Sequence, residues 1–103
     1  MNEITQATQA IRAKREEIAG IKSELDRCEI CIAAVAETKE ALAALKQQRK
    51  EALTAAFMAG KEADTSEVDK LIKGAEKAAA SAADTAAGAE GAKEVLQERL
   101  EAA

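Results

Sequence analysis

No histidine, tyrosine, tryptophan or proline occurs in this 103-residue chain, and Phe57 is its only aromatic residue. Without histidine, Ser23, Ser66 and Ser81 have no imidazole to serve as their base. The Glu-x-x-His motif of di-metal helical bundles is impossible for the same reason. Adjacent carboxylates such as Glu16 and Glu17 point apart on a helix, so they cannot divide acid and base roles. Gly88-Ala89-Glu90-Gly91 lies inside a helical stretch and does not make a phosphate loop. The expectation is a chain that is not an enzyme and holds no cofactor.

Large apolar side chains are scarce too. Alanine supplies most of the 48% hydrophobic content, and each buried methyl or methylene is worth only about 0.8 kcal/mol. No run approaches the roughly 18 apolar residues of a membrane span. Met1-Asn2-Glu3-Ile4-Thr5 lacks the basic-then-apolar order of a signal peptide. The expected location is the cytoplasm, or the virion if the chain is phage-encoded. Net charge is −4. Residues 1–61 carry ten Lys/Arg against nine Asp/Glu, and residues 62–103 five against ten. Neither part has the basic excess with which nucleic-acid binders displace counterions. The clusters Arg12, Lys14, Arg15 and Lys46, Arg49, Lys50 read as solvated helix faces. The polar face of the N-terminal helix mixes both charges, which excludes it as a surface for anionic lipid.

What the chain does have is a heptad repeat. Ile4, Ile11, Ile18, Leu25 and Ile32 recur every seven residues (series a), and Ala7, Lys14, Ile21, Cys28, Val35 and Leu42 follow three positions later (series d). Together they form the apolar seam of a coiled coil, and a repeat held this long imposes a left-handed supercoil. A 33% charged fraction and the abundance of Ala, Glu, Lys, Leu and Arg agree with long helices. The pattern predicts an all-α chain with one structural unit over 1–103. Helix 1 spans about 3–59 with Asn2 or Thr5 as caps, a turn covers 60–64, and helix 2 spans about 65–101. Gly60 sits where a glycine ends a helix in the left-handed conformation. Asp64 with Glu67 fits a reciprocal cap, with Thr65 or Ser66 as alternatives. The heptad frame should loosen after Leu42: Lys39 falls at a and Arg49 at d, while Leu45 and Leu53 step off it.

Helix 2 repeats Val68, Ala75, Ala82, Ala89 and Leu96, seconded by Leu71, Ala78 and Ala92, with Ile72, Ala79, Ala86 and Leu100 widening the stripe. Between Ala75 and Ala92 its apolar residues are alanine and glycine. Gly74, Gly88 and Gly91 could fray the helix, but close helix approach is the preferred reading. Folding at Gly60–Asp64 makes a long antiparallel hairpin in which Val68 meets Ala56, Leu71 meets Leu53, Ala82 meets Leu42, Ala89 meets Val35 and Leu96 meets Cys28. Ile32 and Leu100 complete the packing inside the hairpin, Leu100 at the level of Leu25. Helix 2 then runs out, so Ile4, Ala7, Ile11, Lys14, Ile18, Ile21, Leu25 and Cys28 are expected to form an oligomer or partner interface. Two helices cannot enclose a core alone, so the hairpin should oligomerise into a helical bundle. The expected partner is a second copy, or otherwise another coiled-coil or structural protein.

Cys28-Glu29-Ile30-Cys31 supplies two of the four ligands of a structural zinc site, so only two chains together could complete one. It lies mid-helix, away from the helix N-terminus that activates redox cysteines. Core packing by Cys28, with Cys31 as its neighbour, is the preferred reading, and an intersubunit metal site or disulfide the other. In style, the charged heptad helix, Arg49-Lys50-Glu51-Ala52-Leu53 leading to Phe57 and Gly60, then Asp64-Thr65 and an Ala-rich returning helix resemble the small coiled-coil proteins of tailed-phage and prophage structural modules. That resemblance implies a virion accessory, assembly or scaffolding part. The alternative is an adapter or chaperone that binds a partner's amphipathic helix.

Overall fold

The computed structural model describes residues 2–103, with side chains from residue 3 onward. It is an all-α hairpin of two helices, α1 (Asn2–Met58) and α2 (Ser66–Ala102), measuring 89 × 19 × 16 Å. No strand occurs among the described residues. The cap expected of the Asn2 side chain lies outside the described residues. Thr5 stands inside α1 and is not its cap.

α1 runs unbroken because no proline interrupts it and Gly20 alone lowers its propensity. It ends in a Schellman motif. The Lys61 N–H donates to the Ala56 carbonyl at 2.9 Å and the Gly60 N–H to the Phe57 carbonyl at 3.1 Å. The motif needs a left-handed residue, and Gly60 has φ 65°. Thr65, one of the alternative caps, is the N-cap residue of α2, but its side chain caps no backbone N–H. Asp64 Oδ1 accepts from the Ser66 N–H at 3.1 Å and from the Ser66 hydroxyl, while the Thr65 hydroxyl donates to Asp69 Oδ2 at 2.9 Å. Asp69, rather than Glu67, is the carboxylate that reaches back to the helix start.

Burial along α2 follows a strict heptad. Val68, Ile72, Ala75, Ala79, Ala82, Ala86, Ala89, Lys93, Leu96 and Leu100 are buried or half-buried, at spacings alternating four and three. The second series is therefore the one containing Ile72, and the expected pairing of Leu71 with Leu53 fails. Leu71 is 57% and Leu53 40% exposed, whereas Ile72 is buried. Lys93 keeps its place on the seam because its stem packs while its amine reaches outward.

On α1 the seam runs through Ile18, Ile21, Leu25 and Cys28 as the heptads require. Cys31 and Ile32 are then both half-buried, and beyond them the seam takes Val35, Thr38, Leu42, Leu45 and Arg49. Thr38 and Leu45 each precede the a-position lysines Lys39 and Lys46, which stay in solvent. Two successive three-residue steps, Leu25–Cys28–Cys31, make this shift, a local overwinding of the coiled coil. The frame thus departs at the CxxC, before Leu42.

The buried set is small: Ile21, Cys28, Ile72, Ala86 and Leu96. Ile21, Cys28 and Leu96 form one cluster, joined by Leu25, Ala89 and Leu100. α2 stays helical through its small-residue middle. The seam alanines Ala75, Ala79, Ala82, Ala86 and Ala89 are the buried or half-buried residues there. The glycines mark no close approach, since a Cβ built on Gly74, Gly88 or Gly91 meets nothing within 4 Å.

Candidate functional site

α2 reaches far enough to cover part of the stripe expected to be free. Ile21 and Cys28 are buried in the hairpin cluster, and Ile18 and Leu25 are half-buried. These four positions belong to the hairpin's own packing. The uncovered part is shorter, as residues 3–17 are all exposed. It holds Ile4 at 75% and Ile11 at 55% exposure, with Ala7 and Lys14 between and after them. These four remain in phase with the seam that α2 covers further along. Lys14 pairs along the helix with Glu17 at 3.4 Å, which keeps its charge beside the stripe. Thr8, Ile11, Arg12 and Arg15 line an open depression there. The site is a solvent-facing continuation of a coiled-coil seam.

Two ion pairs join the helices and report their register, and neither was anticipated from the sequence. Arg49 Nε donates to Asp69 Oδ1 at 2.8 Å, and Lys93 Nζ lies 2.5 Å from Glu29 Oε1. Hydrogen bonds from the Ser66 hydroxyl and N–H hold Asp64 below the ordinary carboxylate value of 3.8. The Arg49 hydrogen bond, followed by that from Thr65, does the same for Asp69. The hydrogen bond and charge of Glu29 hold Lys93 above 10.5. A depressed carboxylate stabilises the fold above its unfolded value, and that contribution disappears as pH falls through the folded value. The turn end should therefore weaken below pH 3.8. The contribution of Lys93 is present below 10.5 and lost as pH rises through its elevated value. Thermal melts across the acid range check this: the wild type should lose melting temperature on acidification and Asp69→Asn should lose less. All these pairs are solvent-exposed, so the effect is small.

Cys28 is buried against the cluster and Cys31 is half-buried, both as free thiols. Among the described residues, no group of three or more Cys, Asp or Glu gathers as a metal site would require. No described helix is long and apolar enough to cross a membrane. Exposed apolar side chains also mark the hairpin tip, with Phe57 at 83% and Met58 at 79%.

Fold and site together define a two-helix antiparallel coiled-coil hairpin with an uncovered N-terminal extension. The chain matches no protein-family model, and no curated protein or solved structure is detectably similar to it.

Proposed function

We propose that this chain is a non-enzymatic structural or assembly protein that works by helix-to-helix association through the uncovered turns of α1. In this role it would act as a virion accessory or scaffolding part. The observation that carries the reading is the exposed, in-phase continuation Ile4–Ala7–Ile11–Lys14 of the seam that buries Ile21 and Cys28. Large apolar side chains held at heptad spacing on an otherwise charged helix mark an interaction surface. A second copy is the favoured partner, because it carries a stripe of the same period and most oligomers are symmetric. The resemblance to phage structural modules supports the virion setting.

The test is Ile4→Asp with Ile11→Asp. Both side chains are exposed, so the hairpin itself should keep its helicity. The wild type is expected as a discrete oligomer by light scattering, and the variant at lower mass. An unchanged mass in the variant would remove these residues from the interface, and a monomeric wild type awaiting a foreign helix would favour the adapter.

A further inference from the structure

A second unpartnered face lies on α2, beside the seam that meets α1. Leu71, Gly74, Ala78, Ser81, Thr85, Gly88, Ala92 and Val95 follow one another at alternating three- and four-residue steps, and all are exposed. They contain no charge over 25 residues of a helix that is otherwise densely charged. Leu71 and Val95, at the two ends, are 57% and 47% exposed. Gly74 and Gly88 each cost the helix about 1 kcal/mol relative to alanine, yet nothing within the chain occupies the space their missing Cβ atoms leave.

The order of these residues is self-complementary about residue 83. Positions equidistant from it carry the same kind of side chain: Leu71 and Val95 are branched aliphatics, Gly74 and Ala92 are small, as are Ala78 and Gly88, and Ser81 and Thr85 bear hydroxyls. A helix with this sequence presents the same face to an antiparallel copy of itself, as a two-fold interface requires.

Charge selects that orientation independently. The exposed outer positions next to the stripe read Lys70, Lys73 and Lys77 in the first half of α2, then Asp84, Glu94, Glu98 and Glu101 in the second. An antiparallel copy brings Lys70 and Lys73 level with Glu98 and Glu94. A parallel two-fold copy would turn this row to opposite sides of the contact, so its lysines and glutamates meet one another only in the antiparallel arrangement. Asp84 sits at the level of the axis and faces its own copy, the one unfavourable pair.

α1 meets the same requirement at the same level. Arg27, Cys28 and Cys31 of α1 and Thr85, Gly88, Ala89 and Ala92 of α2 line one open groove, so these flanks share a side of the hairpin. The ion pairs Glu29–Lys93 and Arg49–Asp69 place residue 83 opposite residues 35–39 of α1. Beyond Arg27, that flank of α1 carries Ala34 and Ala41 beside the half-buried seam residues Cys31, Thr38 and Leu45, with no charge among them, and Cys31 and Leu45 are equidistant from Thr38.

We infer that two copies of this chain pack through this face about a two-fold axis near residue 83 of α2, as an antiparallel four-helix bundle. Small residues let the α2 axes approach to the short end of the 8–10 Å range of packed helices. The contact is separate from the N-terminal one. With both formed, the chain assembles either into a closed four-chain particle or into an open string.

The experiment measures absolute mass and helicity of the full chain at high micromolar concentration under reducing conditions. Ala78→Arg with Gly88→Arg charges the stripe, Ala83→Arg with Gln97→Arg charges the exposed flank of α2 opposite it, and Ile4→Asp with Ile11→Asp removes the N-terminal contact. The Ile4/Ile11 variant is expected to remain a dimer, and adding the stripe substitutions should make it a monomer of unchanged helicity. The Ala83/Gln97 pair should leave the dimer intact. Asp84→Asn should tighten the dimer several-fold. In a Cys28→Ala/Cys31→Ala background, Ser81→Cys with Thr85→Cys should oxidise to a covalent dimer, whereas Leu71→Cys should not pair with itself. A monomeric Ile4/Ile11 variant with an intact stripe overturns this inference and leaves the N-terminal reading standing. Self-pairing of Leu71→Cys overturns the antiparallel axis. A stripe variant that becomes monomeric while the Ile4/Ile11 substitutions change nothing supports this face and removes the N-terminal reading.

Discussion

Leu96→Ala should destabilise the hairpin by about 2–5 kcal/mol, the usual loss for emptying a leucine-sized core site. Leu96 is only 5% exposed and is the α2 member of the cluster with Ile21 and Cys28, where Leu25, Ala89 and Leu100 also converge. With so few large buried side chains, no other contact near the open end can replace it. The loss should be uneven. Amide exchange is expected to accelerate across the last turns of α2 and the α1 residues they cover, while the turn end, held by Ile72 and the Arg49–Asp69 pair, keeps its protection. Ile72→Ala should weaken that other end. Leu71→Ala and Leu53→Ala, by contrast, should stay within about 0.5 kcal/mol, as exposed substitutions do. Urea unfolding of the four variants at low protein concentration, where the hairpin is read alone, measures this. A Leu71→Ala loss equal to that of Ile72→Ala would contradict the seam.

Replacing Gly20, Gly74, Gly88 and Gly91 together by alanine should stabilise the chain by about 2–4 kcal/mol, from 0.4–1 kcal/mol at each compatible position. All four lie inside helices, and a Cβ on any of them meets nothing within 4 Å. For a domain of this size, the gain corresponds to a rise in melting temperature of roughly 10 °C or more. Gly60→Ala should do the opposite, because Gly60 holds φ 65° in the turn that closes α1. Melting curves at low protein concentration read these effects on the hairpin alone. At high concentration Gly74 and Gly88 should gain less than Gly20 and Gly91, since an added methyl there enters the face proposed between copies.

Much of this architecture was legible in the residues. Heptad spacing from Ile4 to Leu42 announced a coiled coil, and Gly60 announced the turn, because both follow from local rules that need no tertiary information. The choice between Leu71 and Ile72 was not legible. Both stand in phase with Val68, and further along Ala78 and Ala92 in one series look no different from Ala79 and Ala86 in the other. Lys93 argued against the correct one, as a lysine on the seam looks like an interruption until Glu29 is seen to take its charge. Packing on α1 likewise drifted to Thr38 and Leu45, because Lys39, already legible at an a position, and Lys46 hold the a positions. The candidate interface was read too long for a related cause. The extent of the uncovered stripe depends on how far α2 reaches, and the ion pairs that report the register join residues too distant for any periodicity to connect. Ile4 and Ile11 were correctly read as uncovered by their own chain, and Cys28 as the partner of Leu96 within it, whereas Ile18 and Ile21 proved to be packed in the hairpin.

Amide exchange of residues 3–17 as a function of protein concentration tests the central claim most directly. These turns have no cover within the chain, so an isolated hairpin should exchange them quickly, and association should protect them. Protection is expected to rise with concentration and to center on Ile4 and Ile11. Full protection at the lowest concentration would mean that the chain covers them itself, and rapid exchange at every concentration would mean that no second copy does.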